Sequence, residues 1–178
     1  MGNGVTFIGN YAFGGCRGLS SITIPSSVTT IDANAFGGTE LKKVITSDIN
    51  SWCRINFGDR YANPLNSAKY LYSDENTEIT TVVIPNDVEE IKYTFYNCQG
   101  LTNVSIPNSV TLISDYAFYS CSNLTSITIY ATTPPTLSDA RAFTYTNDCP
   151  IYVPSASVTA YQTATNWSNL ASRIQAIP

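Results

Sequence analysis

One pattern, V-x-x-I-x-x-x-A-F-x-x-C-x-x-L-x-x-I-x-I-P-x-S, recurs along the chain with a period of about 23 residues. Copies begin at Val5, Val28, Val88 and Val110, and the second copy is partial. Such a period is typical of a solenoid, because one coil cannot bury its apolar side alone and must stack on its neighbours. The repeat therefore predicts a single stacked domain over residues 1–178.

Each copy contains two segments with a strand-like pattern. The L-x-x-I-x-I-P segment alternates apolar and polar residues and is rich in β-branched side chains, which predicts a short strand. Its copies are Leu19–Pro25, Leu41–Thr46, Ile79–Pro85, Leu101–Pro107, Leu124–Tyr130 and, more loosely, Pro150–Pro154. Stacked in parallel, these strands are expected to form one continuous sheet. The V-x-x-I segment predicts a second short strand at Val5–Ile8, Val28–Ile31, Val88–Ile91 and Val110–Ile113.

Two other repeat positions are expected to lie inside the solenoid. The A-F position predicts an internal spine of stacked rings, formed by Phe13, Phe36, Phe95, Phe118 and Phe143. The cysteine position predicts buried free thiols, because cysteine packs as a small hydrophobe. It is occupied by Cys16, Cys98 and Cys121, with Thr39 in the second copy. Cys53 and Cys149 fall outside the repeat register, and their pairing stays open.

The period breaks between Asp48 and Asn76. Asp48 is a candidate N-cap for a helix whose apolar face would carry Ile49, Trp52, Cys53 and Phe57. A strand is predicted at Lys69–Tyr72, and the polar turn Ser73–Glu78 suggests a hairpin-like excursion. An insertion of this kind either carries function or is an expanded coil that keeps the spiral continuous.

Residues 133–178 are predicted to form a C-terminal cap, because the repeat pattern degrades there. A strand at Pro150–Pro154 precedes two predicted short helices, one with Val158 and Tyr161 on a face and one with Trp167, Leu170 and Ile174. The expected organisation is repeats over 1–47, an expanded irregular segment over 48–78, repeats over 79–132 and a C-terminal cap over 133–178. The chain starts within a repeat and without a signal-peptide pattern, so we expect a fragment.

Composition argues against several classes of function. There is no histidine, the commonest general base and metal ligand, and no glycine-rich phosphate loop or nucleophile motif. We therefore predict no enzyme, no cofactor and no metal. Asp59, Asp74, Glu75 and Glu78 could supply a carboxylate pair but are interpreted as solvated turn residues, and the spacing of Asp74, Glu75 and Glu78 matches no calcium loop. Charged residues are only 12% of the chain and the net charge is −4, which disfavours nucleic acid. No apolar run is long enough for a membrane span.

The repeat as it stands in Ile8–Ser27 closely resembles the BspA-like leucine-rich repeat family. Residues 48–71, DINSWCRINFGDRYANPLNSAKYL, resemble an expanded segment of these proteins, and the tail from Cys149 resembles their C-terminal cap. The resemblance implies a right-handed leucine-rich-repeat solenoid in cell-surface or secreted proteins of gut and oral bacteria. It also implies adhesion to host matrix proteins, other bacteria or host cells, with no catalytic residues.

The expected fold is thus a leucine-rich-repeat solenoid with short parallel β-strands on one face, short strands and turns on the other, and a small helical cap. Its outward strand residues form the candidate ligand-binding face: Ser21, Thr23, Lys43, Ile45, Thr81, Val83, Asn103, Ser105, Ser126, Thr128 and Tyr152. The predicted partner is a host matrix protein or another bacterial surface protein. One alternative is a glycan-binding module that uses Tyr61, Tyr70, Tyr72, Tyr130 or Tyr152. Another is a passive spacer.

Overall fold

A computed structural model describes all residues from 1 to 178. The strands in chain order are β1 (Phe7–Ile8), β2 (Ser21–Ile24), β3 (Thr30–Ile31), β4 (Lys43–Thr46), β5 (Asn56–Phe57), β6 (Leu71–Tyr72), β7 (Thr81–Val83), β8 (Glu90–Ile91), β9 (Asn103–Ile106), β10 (Leu112–Ile113), β11 (Ser126–Ile129), β12 (Thr136–Leu137), β13 (Ile151–Val153) and β14 (Ile174–Ala176). The α-helices are α1 (Ile49–Cys53), α2 (Leu65–Ala68) and α3 (Val158–Thr163). Short 3-10 helices lie at Ala140–Phe143, Ser155–Ser157 and Trp167–Arg173.

The strands form four parallel sheets, two along each strand-bearing side of a solenoid. The first broad sheet is β2-β4-β6, and the second broad sheet is β7-β9-β11-β13-β14. The first narrow sheet is β1-β3-β5, and the second narrow sheet is β8-β10-β12. Neighbouring strands pair equivalent residues of successive coils, as Ile8 with Ile31 and Ile91 with Ile113. The predicted repeat solenoid with parallel strands is confirmed.

The prediction of one continuous sheet is wrong, because the parallel pairing stops between β6 and β7. After β6 the chain turns back: the Ser73 amide donates to the Thr77 carbonyl at 2.9 Å, and the Ile79 amide donates to Leu71 at 2.8 Å. Tyr72 and Glu78 form an antiparallel bridge. This local hairpin separates β6 from β7 within the third coil, so β7 pairs with β9 of the next coil and begins a second parallel sheet instead of extending the first.

Phenylalanine rings from successive coils stack along the interior, as predicted. Ring centroids are 5.1 Å apart for Phe13–Phe36, and 5.6 Å apart for both Phe95–Phe118 and Phe118–Phe143. All of these rings except that of the half-buried Phe13 are buried. They belong to one apolar cluster of 45 buried residues, so both blocks of repeats share a single core.

The ring spine is interrupted in the third coil, where Ala62 occupies the Phe position. The Phe36 amide donates to Tyr61 at 3.0 Å, as the Phe13 amide donates to Ala35 at 2.8 Å, which identifies Tyr61-Ala62 as the A-F counterpart. Trp52 is fully buried, and its indole N–H donates to the Thr94 carbonyl at 3.1 Å. An indole from the expanded segment therefore links the third coil to the fourth.

Asp48 caps α1 as predicted. Its carboxylate accepts hydrogen bonds from the amides of Asn50 at 3.1 Å and Ser51 at 3.0 Å. The helix ends at Cys53, so the expectation that Phe57 lies on its apolar face is wrong. Phe57 instead lies in β5, where it pairs with Ile31. The strand predicted at Lys69–Tyr72 is shorter, because Lys69 ends α2 in a left-handed conformation with φ 67°.

The C-terminal segment covers the last ring of the spine. The Trp167 ring lies 5.7 Å from Phe143 and 5.1 Å from Tyr161, both measured between centroids. The first predicted helix is α3, and the second is the 3-10 helix Trp167–Arg173. Placing Ile174 in that helix is wrong, because Ile174 pairs with Ile151 and begins β14. The cap thus adds a final strand to the second broad sheet.

All five cysteines are free thiols. Cys98 and Cys121 are buried as predicted, and the Cys121 thiol donates to the Phe95 carbonyl at 3.0 Å. Cys16 is exposed, so its predicted burial is wrong; no coil is stacked on its side of the structure.

Cys149 lies within the repeat register, so the prediction that it falls outside the register is wrong. Its amide donates to Thr146 at 3.3 Å as that of Leu124 donates to Cys121 at 3.2 Å, so Cys149 occupies the repeat leucine position.

Truncating one ring of the spine is expected to cost stability in proportion to its burial. Phe118→Ala removes a fully buried ring stacked on both sides, which costs about 3–5 kcal/mol of the free energy of unfolding. Phe13→Ala is the matched variant and should cost less, since its ring is half-buried and stacked on one side. Urea unfolding followed by circular dichroism measures both. Equal losses would contradict the spine.

Only Cys16 should react with a thiol reagent in the native protein. The other four thiols are buried, so 5,5′-dithiobis(2-nitrobenzoate) should modify one thiol before unfolding and all five in denaturant. Cys16→Ser should leave no fast-reacting thiol. Fast modification of a second thiol in folded protein would show that the core is open.

Alkaline pH is expected to destabilise the fold through the buried thiols. Burial raises the pKa of Cys53 and of Cys98 from 9.0 to about 12. At a pH between about 9 and about 12, these thiols lose their protons in the unfolded chain but keep them in the folded protein, so the free energy of unfolding falls as the pH rises through this range. Below about pH 9 the thiols are protonated in both states, and their full contribution to the free energy of unfolding is present. Urea titrations across pH 8–11 should show a shallower decline for Cys98→Ala, and an identical slope would contradict this assignment.

Candidate binding surface

The outer face of the second broad sheet carries two straight columns of side chains. Strand pairing aligns equivalent residues of successive coils, and alternate residues point to opposite faces of a strand. The first column is Thr81, Asn103 and Ser126. The second column is Val83, Ser105, Thr128, Tyr152 and Gln175. Gln175 is an addition to the residues expected from the repeat pattern, because β14 was not predicted as a strand.

The outward side chains of the second broad sheet differ in their exposure to solvent. Thr81 and Val83 are exposed, and Val83 keeps 66% of its surface accessible. The following residues are half-buried between neighbouring coils: Asn103, Ser105, Ser126, Thr128 and Tyr152. The alternate residues Val82, Val104 and Ile127 are buried. The strand register therefore places this part of the candidate face towards solvent, with the apolar core directly beneath it.

The two columns differ in hydrogen bonding. The Asn103 amide donates to the Ser126 hydroxyl at 2.8 Å and to the Thr125 hydroxyl at 3.2 Å, so the first column is bonded internally. Ser105, Thr128 and Tyr152 in the second column have hydroxyls without a partner inside the protein. Free hydroxyls that face solvent can donate to or accept from a ligand. The second column is thus the more accessible half of the face.

The first broad sheet offers a smaller surface. Ser21 and Thr23 are exposed, but Ile45 is only 7% exposed, so the expectation that Ile45 faces solvent is wrong. It lies in register between Thr23 and Tyr72. Lys43 is also engaged: its ammonium lies 3.6 Å from a Glu75 carboxylate oxygen and 5.0 Å from the centre of the Tyr72 ring. The polar turn after β6 therefore docks on this sheet and separates it from the second broad sheet.

A second surface, which the repeat analysis did not identify, consists of tyrosines on the turns. We call it the tyrosine ladder: Tyr93, Tyr96, Tyr116, Tyr119 and Tyr145. Centroid distances are 6.2 Å for Tyr93–Tyr116, 5.6 Å for Tyr96–Tyr119 and 5.3 Å for Tyr119–Tyr145. The sequence signal is a tyrosine directly before and directly after the A-F position in two consecutive copies, with Tyr145 shifted by one residue in the third. Its members were missed because tyrosines were weighed singly and not by repeat position.

Cations flank the tyrosine ladder. The Arg141 guanidinium lies 5.3 Å from the centre of the Tyr116 ring and donates to its hydroxyl at 3.0 Å. The Lys92 ammonium lies 5.6 Å from the centre of the Tyr93 ring. Partial burial raises the pKa of the phenols of Tyr93, Tyr96 and Tyr119. These three phenols therefore present neutral hydroxyls at neutral pH, which can both donate and accept hydrogen bonds.

The five tyrosines first considered for glycan binding do not form a comparable group. No close ring pair joins any two of Tyr61, Tyr70, Tyr72, Tyr130 and Tyr152. Tyr61 accepts a hydrogen bond from Arg60 at 2.8 Å, and Tyr72 lies beneath Lys43. Tyr130 is 51% exposed but isolated, so only Tyr152 contributes to an extended surface.

The acidic residues of the expanded segment have structural partners. Asp59 accepts from the amides of Ala62 at 2.7 Å and Asn34 at 3.1 Å. Asp74 accepts from the amides of Asn76 at 2.8 Å and Thr77 at 2.9 Å, and these bonds lower the pKa of its carboxyl. No group of three or more cysteine or acidic side chains is arranged to hold a metal ion. None of the helices has the length and apolar character required to cross a bilayer.

The family description "BspA type Leucine rich repeat region" matches in six copies, over residues 1–57 and 68–172. A leucine-rich cell surface protein from Faecalibacterium prausnitzii A2-165 is similar in structure, with 21% identity and a TM-score of 0.44 over 99% of this chain and 62% of that one. A leucine-rich repeat protein from Eubacterium ventriosum has 16% identity and a TM-score of 0.33, over 87% of this chain and 66% of that one. This chain therefore spans less than two thirds of either protein. No curated protein matches significantly.

Proposed function

The chain belongs to the BspA-type leucine-rich repeat family, and from this we propose that it is a non-enzymatic protein-interaction or adhesion module of a bacterial cell-surface or secreted protein. The observation that carries the proposal is the second column of the second broad sheet. It runs across five strands without a break and offers hydroxyl groups that the protein itself leaves free. The proposed partner is a host matrix protein or a surface protein of another bacterium.

The chemistry of this column favours weak contact with an extended partner. Its side chains are small or uncharged, with Val83 as an exposed apolar contact and Tyr152 as the single aromatic one. Tight interfaces usually depend on buried Trp, Tyr and Arg anchors, which this column mostly lacks. Many copies presented on one surface would raise the effective affinity without any new contact. We infer that one copy binds with a dissociation constant above about 1 μM.

A second candidate function, glycan binding, is favoured by the tyrosine ladder. Its hydroxyls and flanking cations lie on the turns and not on the broad sheets, so the two candidate functions use different residues. The passive-spacer alternative uses neither surface. Substitutions on one surface at a time therefore separate the three possibilities.

Bulky charges placed in the second column should abolish protein binding. The double variant Ser105→Arg with Thr128→Arg puts two long cations between Val83 and Tyr152, which are their neighbours in the column. Biolayer interferometry against a panel of immobilised matrix proteins, with the module displayed multivalently, should show at least a tenfold loss. Ser122→Arg, an exposed turn position, is the matched control and should bind like the unmodified protein.

The same variants applied to a glycan array distinguish the alternatives. Glycan binding that survives Ser105→Arg with Thr128→Arg but is lost in Tyr96→Ala with Tyr119→Ala would contradict the sheet as the functional face. Absence of binding to both panels by the multivalent protein would favour the spacer. Circular dichroism confirms that each variant is folded.

A further inference from the structure

The backbone ladder on the narrow-sheet side has a gap between β5 and β8. In the other pairs of successive coils, a backbone amide just after the narrow strand donates to a carbonyl of the preceding coil, at 2.8 to 3.1 Å. The donor and acceptor pairs are Asp32 and Ile8, Gly58 and Ile31, Ser114 and Ile91, and Ser138 and Ile113. The corresponding bond would join the Lys92 amide to the Phe57 carbonyl, and it is absent. The first and second narrow sheets consequently face each other with unpaired edges.

The gap is confined to this side of the solenoid. On the broad-sheet side, β7 of the third coil pairs with β9 of the fourth, and the Thr102 amide donates to the Thr80 carbonyl at 2.7 Å. On the turn side, the Thr94 carbonyl accepts from the Trp52 indole at 3.1 Å and from the Asn63 side chain at 3.0 Å. The third and fourth coils are therefore held together on two sides and open on the third.

A cleft of about 340 Å³ occupies this opening. One wall is formed by residues 53–57 of the third coil, and the other is formed by residues 87–90 with Lys92 and Thr94 of the fourth. The Arg54 guanidinium bridges the walls through two hydrogen bonds to the Asp87 carboxylate, at 2.8 and 2.9 Å. Arg54 and Asp87 are each partly exposed, so this bridge does not seal the cleft.

The cleft walls carry backbone groups that lack a partner in the protein. In a parallel sheet, successive residues direct their hydrogen bonds to opposite neighbours. Asn56 and Gly58 donate to the preceding coil, so the N–H and C=O of Phe57 point into the cleft. Phe57 and Ile91 are each only 1% exposed, so these edges lie in a largely buried region. Buried backbone groups are almost always paired, which makes this pair of edges a site for a ligand with a backbone of its own.

We propose that the cleft binds one extended peptide segment of a partner protein, running parallel to β5 and β8 as an inserted strand. The segment would accept and donate hydrogen bonds with Phe57 on one wall and with Glu90 and Lys92 on the other, which restores the ladder that the other coils form internally. A segment of the V-T-x-I type fits, since the chain's own β3 and β10 bind the opposite edges of the same two strands. This site includes no residue of the second broad sheet. It shares only Lys92 with the surroundings of the tyrosine ladder, and it uses the backbone amide of Lys92 and not the ammonium that lies near Tyr93.

Amide hydrogen exchange measured by NMR tests the proposal in two steps. In the free protein, the amides of Phe57 and Lys92 should exchange at least tenfold faster than those of Gly58 and Ser114, which are bonded to neighbouring coils. A synthetic peptide that copies Val28–Asp32, with blocked ends and at millimolar concentration, should slow the exchange of Phe57 and Lys92 at least tenfold. The exchange of Gly58 and Ser114 should not change.

The control peptide replaces the position of Ile31 with proline, which removes the amide needed for the ladder and should give no protection. Slow exchange of Phe57 and Lys92 in the free protein would overturn the proposal, because the gap would then be closed in solution. Unchanged exchange with the Val28–Asp32 peptide, or equal protection by the proline peptide, would overturn it as well. Loss of matrix binding in the sheet-face variants has no bearing on either result.

Discussion

Contact between equivalent residues of successive coils is the interaction on which this structure depends. Backbone bonds such as Asp32 to Ile8 and ring pairs such as Phe95–Phe118 both join positions that lie one repeat apart. No coil has an interior of its own, so its apolar side becomes core only when a neighbour covers it. The same constraint aligns outward residues into columns. The candidate binding face and the hydrophobic core are therefore two products of one periodicity.

The expanded segment modifies this plan without breaking the core. Trp52 and Asn63 bond to the Thr94 carbonyl, and the hairpin after β6 carries the chain on to β7, so the fourth coil remains attached. The consequence is a division of the surface into separate regions. The docked turn limits the first broad sheet, the second broad sheet keeps an open face, and the narrow-sheet side gains a cleft with unpaired edges.

The repeat pattern predicted the structural features that recur in every coil. It did not predict features that depend on a contact made at only one place in the chain. The strand positions, the ring spine and the cap of α1 by Asp48 all follow from local pattern. The burial of Ile45 depends on where a particular turn docks, and the strand at Ile174 depends on a pairing far along the chain. Cys149 was misread because the last copy of the repeat has Thr146 at the cysteine position and a cysteine at the leucine position. Most of the tyrosine ladder can be predicted from the sequence, since Tyr93 and Tyr116 share one repeat position and Tyr96 and Tyr119 share another, while Tyr145 is shifted by one residue.

The stacking of equivalent residues is tested most directly by NMR contacts between aromatic side chains. Nuclear Overhauser effects should join the ring protons of Phe95 to those of Phe118, and those of Phe118 to Phe143, because both pairs of centroids are 5.6 Å apart. Phe36 and Phe95, which lie on either side of the third coil, should show no such direct stacking contact. Rings of Phe95, Phe118 and Phe143 without mutual contacts in the folded protein would contradict the shared interior and the surfaces that it positions.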